Sequence, residues 1–350
     1  MSPLAGIRVV EFAGMGPAPF AAMMLSDMGA HITRIARPDA DDAPPGADVL
    51  TRGRETLHLD LKSDDGRSTA LRHVAESDIL IEGFRPGVME RLWLGPRDCH
   101  SVNPALVYGR MTGWGQDGPL AHTAGHDINY IALTGALWSM GEADRPPQPP
   151  LNLLGDFGAG ASFLVIGLLA ALHKAHETGL GEVVDAAIFD GTNTMMGFVR
   201  GQIARGRWQY ERAANRLDGS APNYRVYTCS DGRWISVGAL EPKFFSALLQ
   251  AMGFEGAELK RLLSLEPRAD VNATLEKHFL TKTRDEWCDV FDGVDCCVTP
   301  VLDPLEALNH PHMKARKLNI DTPTGPQPAP SPRFLGPTTG DSAKQDRGGS

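Results

Sequence analysis

No cysteine framework holds this chain together. Its five cysteines (Cys99, Cys229, Cys288, Cys296 and Cys297) are an odd number without regular spacing, and no C-x-x-C occurs. Reduced, mostly buried thiols in an intracellular compartment are the expectation. Positive charge is also scarce. Lys and Arg number 34 against 43 Asp and Glu, a net charge of −9, which argues against a nucleic-acid binder. An anionic small ligand stays open, because it needs only local cations. The first twenty residues lack the basic start and long apolar run of a signal peptide. No run of about eighteen uninterrupted apolar residues appears, which speaks against a membrane span. The most apolar segment, ASFLVIGLLAAL (161–172), reads as a buried helix, so a soluble protein is expected. The end of the chain is not S-K-L, and a bacterial-type cytoplasmic location is the default expectation. Hydrophobic residues at 42% and charged residues at 22% of 350 suit one or two globular domains.

The first half alternates short β-type runs with helical patterns. IRVVEFA (7–13), HITRIA (31–36), ETLHLDL (55–61), DILIEGF (78–84), ALVYGRM (105–111) and VVDAAI (183–188) read as strands. PAPFAAMMLSDMGA (17–30) and DDGRSTALRHVAES (64–77) read as helices between them, the second with Ser63 as its N-cap. Such alternation predicts an α/β fold with a mostly parallel sheet, whose ligands bind at the carboxyl ends of the strands. Two more helices are expected at 125–140 and 156–177, and helical character again over 191–207. Residues 208–222 are polar and punctuated by Gly and Pro, as in a linker. NYRVYTC-SDG-RWISVGA (223–239) predicts a hairpin, followed by helices near 241–252, 269–281 and 283–292 and a strand at 296–302, a second, smaller α+β unit. From about 322 the composition turns to Pro, Gly and Ser, which predicts an extended or disordered tail.

Gly14-Met15-Gly16-Pro17 follows the first strand and opens a helix, but Pro19 stands where a dinucleotide fingerprint needs its third glycine. No acidic residue ends the second strand, so a nicotinamide cofactor is not expected, and a tight turn explains the glycines. Cations are placed more tellingly. Arg34 and Arg37 end the second strand, Lys62 the third, and Arg85 follows the fourth, with Arg91 one short helix later. Singly, each reads as a solvated surface cation. As a set, they suit a phosphate-bearing ligand equally well. His126 and Asp127, in GHDINY, and Asp156, in GDFGAG, stand at predicted helix starts. Asp156 is explained as an N-cap, and His126 as a hydrogen-bonded buried histidine. Alternatively, both face one cleft. A helix N-terminus would then keep His126 neutral and basic and offer N–H groups to an anionic oxygen. The pattern alone does not choose.

GHDINY, PLNLLGDF, YGRMTGWGQDGP, HLDLK, GFRPGVMERLWLGP, LDGSAPNY, VGALEP and DCCVTPVL closely resemble segments of the family III CoA-transferase superfamily, within it those members that epimerise 2-methyl-branched acyl-CoA thioesters. The resemblance runs from about Leu4 to Phe334. It implies a Rossmann-like large domain (1–205), a linker (206–222), a small α+β domain (223–303) and a return segment with a tail (304–350). It also implies an interlocked homodimer with active sites shared between subunits. His126 and Asp156 take the catalytic positions, and Glu241 supports the histidine from the other chain. Asp127 offers its backbone N–H to the thioester oxygen. CoA is expected at Arg37, Leu59, Asp60, Leu61, Lys62, Gly83, Phe84, Arg85, Arg91, Gly125 and Tyr130. The implied reaction needs no metal and no cofactor beyond the CoA of the substrate. Neutral His126 takes the α-proton from one face while protonated Asp156 delivers one to the other, which predicts a bell-shaped pH–rate profile. The competing readings are a CoA transferase with Asp156 as nucleophile and a catalytically silent CoA-binding protein. Transferases lack a histidine base at the His126 position, which favours the epimerase.

Overall fold

Parallel strands covered on both faces require nearly continuous apolar runs, and RVVEF, ILIE and VYGRMT supply them. In the computed structural model, which describes residues 2–40 and 48–336, these become the centre of a six-stranded parallel sheet. Its strands are β1 (Arg8–Phe12), β2 (His31–Ala36), β3 (Arg54–His58), β4 (Ile79–Glu82), β5 (Val107–Thr112) and β6 (Val183–Ala187). They lie in the order β3-β2-β1-β4-β5-β6, that of a doubly wound nucleotide-binding sheet. The pleat sorts the side chains by parity. Val9, Ile32, Ile79, Ile81 and Val107 face α1 (Pro17–Asp27) and α6 (Ser162–Thr178). Val10, Phe12, Ile35, Leu80 and Tyr108 face α2 (Asp64–Ala75), α3 (Val88–Arg91) and α4 (Pro96–Val102). Ser63 caps α2, its hydroxyl accepting from Gly66 N–H at 3.0 Å.

The chain divides into two compact units. The first comprises Met1–Tyr130, Asn152–Thr192 and Ala315–Ser350, and the second Ile131–Leu151 and Asn193–Lys314. Residues 131–151, 193–205 and 304–314 thus group with the second unit, where the resemblance put them outside the small domain. The second unit holds the expected hairpin of β7 (Arg225–Thr228) and β8 (Trp234–Val237), with β9 (Val298–Pro300) antiparallel on β8. Tyr227, Ile235, Phe245, Phe279 and Trp287 form its core. The segment expected as a polar linker includes buried Asn215 and Ser220. Arg268 ties it down, with Nη1 donating to Ser220 Oγ at 2.9 Å.

Three further expectations are corrected. The Pro-rich stretch from 322 carries half of an antiparallel hairpin, Asn319–Thr322 with Gly325–Pro328, and residues 337–350 of the tail lie outside the described residues. Arg34 does not end β2. It lies mid-strand, opposite Glu11 of β1. The helix expected from 156 starts earlier: Leu153–Ala161 winds as a π-helix and runs on into α6. The resulting Leu153–Thr178 helix of 26 residues is long and apolar enough to cross a membrane. Leu164, Leu168 and Leu172 nevertheless bury one face of it in the sheet's core, which accounts for its apolar character.

Candidate active site

The loops after β1 to β5 and the start of the long helix carry the candidate residues of the first unit. After β1, Gly16 turns with φ 72° into α1. A methyl group there would lie 3.4 Å from Asp156 Oδ2, so Asp156 sits directly over the β1 carboxyl end. Phe20 and Phe157 stack at 4.3 Å between ring centroids and hold the π-helix on α1. The π winding is carried by bonds such as Phe157 N–H to the Asn152 carbonyl at 3.3 Å. Such turns widen a helix locally and recur at functional sites. Asp156 is consequently not an N-cap. It stands within the first turn, half-buried and free of any capping duty.

His126 is exposed, which removes the buried-histidine explanation. It immediately precedes α5 (Asp127–Leu133), and Asn129 Oδ1 accepts from its backbone N–H at 3.0 Å. Asp127, the first residue of α5, is buried, and its Oδ2 accepts from Asp156 N–H at 2.6 Å. Its Oδ1 is buried without a hydrogen-bond partner. The loop carrying the imidazole is therefore tied directly to the helix carrying the carboxylate. Burial, then the neighbouring Asp127 carboxylate, raise Asp156 above the ordinary carboxylate range, against a hydrogen bond from Asn152 and the charge of His126. Burial raises Asp127 as well, opposed by the N–H groups of Asp156 and Gly155. Tyr130 feels Asp156, Arg85 and Asp127 together, so these four groups share one neighbourhood. Its hydroxyl donates to the Gly125 carbonyl, and its ring meets Trp114 edge-on at 4.8 Å. A Cβ on Gly113 would fall 2.0 Å from the Tyr130 ring, so only glycine fits there.

The expected CoA residues separate by role. Arg37, Lys62, Arg85 and Arg91 are exposed beyond the ends of β2, β3 and β4. Leu59, Leu61 and Phe84 instead pack against the α2–α4 core and shape the backbone between those cations. Asp60 accepts from Lys62 N–H at 2.9 Å and fixes that turn. Gly83 and Gly125 lie in the loops after β4 and β5. Glu241 belongs to the second unit. It is exposed at the N-cap of α9 (Pro242–Ala251) without capping it, and it adds to burial and Asp295 in raising the Cys297 thiol.

Residues 4–346 match CoA-transferase family III. The chain belongs to that family. Among its relatives, the alpha-methylacyl-CoA racemase of Mus musculus is 42% identical over 98% of this chain and 89% of its own length. The Homo sapiens alpha-methylacyl-CoA racemase is 41% identical over 93% of this chain and 86% of its own length. A CAIB/BAIF family protein from Brucella suis has a solved structure that superposes with a TM-score of 0.79 at 27% identity, covering 95% of this chain and 93% of that one.

This family III chain also holds site features that pattern reading missed. The Asp127 side chain is one, since its sequence signal was only a helix-start acid. Arg110 is another. Inside the strand run VYGRMT its side chain is only 9% exposed. Nε donates to Glu82 Oε1 at 3.1 Å, and Nη1 and Nη2 donate to Glu90 Oε1 and Oε2 at 2.8 and 3.2 Å. Burial pushes the Glu82 carboxyl up to about 7, although Phe84 N–H and Arg110 oppose the rise.

Proposed function

We propose that this chain interconverts the two epimers of 2-methyl-branched acyl-CoA thioesters by moving the α-proton between His126 and Asp156. The observation that carries the reading is an exposed imidazole beside a half-buried carboxyl raised above its usual range. The racemase relatives supply the substrate class. A raised carboxyl suits the acid partner, because it holds its proton nearer to neutral pH. Neutral His126 removes the α-proton from one face, and protonated Asp156 returns one to the opposite face. The reverse reaction begins with His126 protonated and Asp156 ionised. One proton is thus shared by the pair, which titrates as a unit and gives a bell-shaped pH–rate profile. The enolate oxygen is held by the backbone N–H of Asp127, at the start of α5.

CoA enters as part of the substrate, its phosphates on Arg37, Lys62, Arg85 and Arg91. Glu241 of the partner subunit orients the imidazole in an interlocked homodimer, and the reaction uses no separate cofactor. The test is incubation of one epimer of a 2-methylacyl-CoA in D₂O without an acceptor acid. Epimerisation with deuterium gained at the α-carbon is the expected result. Turnover that starts only when a second carboxylate is supplied would overturn it in favour of acyl transfer, with Asp156 as nucleophile.

A further inference from the structure

We propose that Arg110 is a positioning residue for recognition of the nucleotide end of CoA, holding the segment from Gly83 to Arg91 in its binding shape from beneath. The inference rests on the functional reading above and deepens it. Arg85 and Arg91 lie on a segment that leaves the sheet at Glu82 and ends in the single turn of α3. Such a short stretch has little intrinsic order. Arg110 fastens it at both ends. Toward the sheet, its Nε holds Glu82, which is 1% exposed and whose other oxygen accepts from Phe84 N–H at 2.8 Å. Toward α3, its two terminal nitrogens hold both oxygens of Glu90, the residue next to Arg91. One planar fork therefore fixes where the segment starts and where it stops.

The same arrangement explains why a guanidinium lies nearly buried in a strand. Two carboxylates in that position would repel; Arg110 sets one positive charge between them, and three of its five donors reach three of their four oxygens. Arg110 is separate from the His126–Asp156 pair, so its loss should weaken the grip on CoA and leave the proton transfer intact. Lys in its place keeps the charge and loses the fork.

The experiment compares Arg110→Lys and Glu90→Gln with the parent chain, using calorimetry with free CoA and with pantetheine, and epimerisation kinetics with 2-methylacyl-CoA and the matching acyl-pantetheine. The expected result is about a tenfold loss of CoA affinity in Arg110→Lys and a smaller loss in Glu90→Gln. KM for acyl-CoA should rise in step, with kinetics on acyl-pantetheine within twofold of the parent. Glu90→Gln removes only a half-exposed carboxylate charge and guards against a folding defect in Arg110→Lys. Unchanged CoA affinity in both variants overturns the proposal, as does an equal loss toward CoA and pantetheine. A parent chain that fails to bind CoA overturns the functional reading instead, and this proposal with it.

Discussion

The end of β4 and the start of the π-helix each bring two carboxylates together, and only the first pair receives a guanidinium. Glu82 and Glu90 share Arg110 across well-formed hydrogen bonds. Asp156 donates its backbone N–H to Asp127 Oδ2, and the cationic group acting on Asp156 is the His126 imidazole in place of a guanidinium. On the proposed function, the difference separates scaffold from chemistry. A carboxylate pair locked to a cation that never deprotonates fixes geometry. Among the described residues, the second pair has no such fork to lock it, and the proposed proton transfer runs through it.

The largest effect expected from this contrast comes from the second pair. His126→Ala and Asp156→Asn should each lower the epimerisation rate by about 10²–10⁴-fold, while calorimetric CoA affinity stays close to that of the parent. A loss confined to CoA affinity would erase the contrast. Next in size, Asp127→Asn keeps an oxygen to accept from Asp156 N–H but removes the charge that raises Asp156. Asp156 is faced by Asp127, His126 and Tyr130, and Asn152 is its neutral partner. The acid limb of the pH–rate profile should therefore move to lower pH, and a limb that stays in place would show that Asp127 only holds the helix. The smallest effect belongs to the first pair. Burial lifts the folded Glu82 carboxyl to about 7, above its ordinary 4.5. Its folded form binds protons more readily than its unfolded form, so its contribution to stability is complete below 4.5 and is lost as pH rises to about 7. Glu82→Gln should flatten the fall in melting temperature across that window, and an unaltered slope would assign the fall to other groups.

Much of the scaffold could be read from residue patterns alone. His31–Ala36 forms a strand over the residues that the pattern gave, and Ser63 caps the helix after it. Both are local signals, alternation and a hydroxyl before an acidic first turn. The motif-bearing residues were legible too, and Asp156 N–H reaches the Asp127 carboxylate, with His126 next to it in the chain. How they meet was not. A π-helix leaves no mark on apolar spacing, so Asp156 looked like a cap. Arg110 sits in a run that reads as an ordinary buried strand, and its partners Glu82 and Glu90 are 28 and 20 residues away. Gly325–Pro328 defied its prolines because a two-stranded hairpin leaves outward N–H positions where proline loses nothing.

The continuity of the wide winding with α6 carries a consequence for chain length. Asp156 is anchored downstream by a helix whose apolar face is wedged on the sheet, and the five-residue bonding between them sets its angular phase. Deleting a single residue between 157 and 161 would let ordinary winding resume and swing everything upstream by about 100° around the axis. The carboxyl would leave the imidazole with every chemically important side chain still present. On the proposed function, the count of residues in this segment is as much a determinant of activity as their identity.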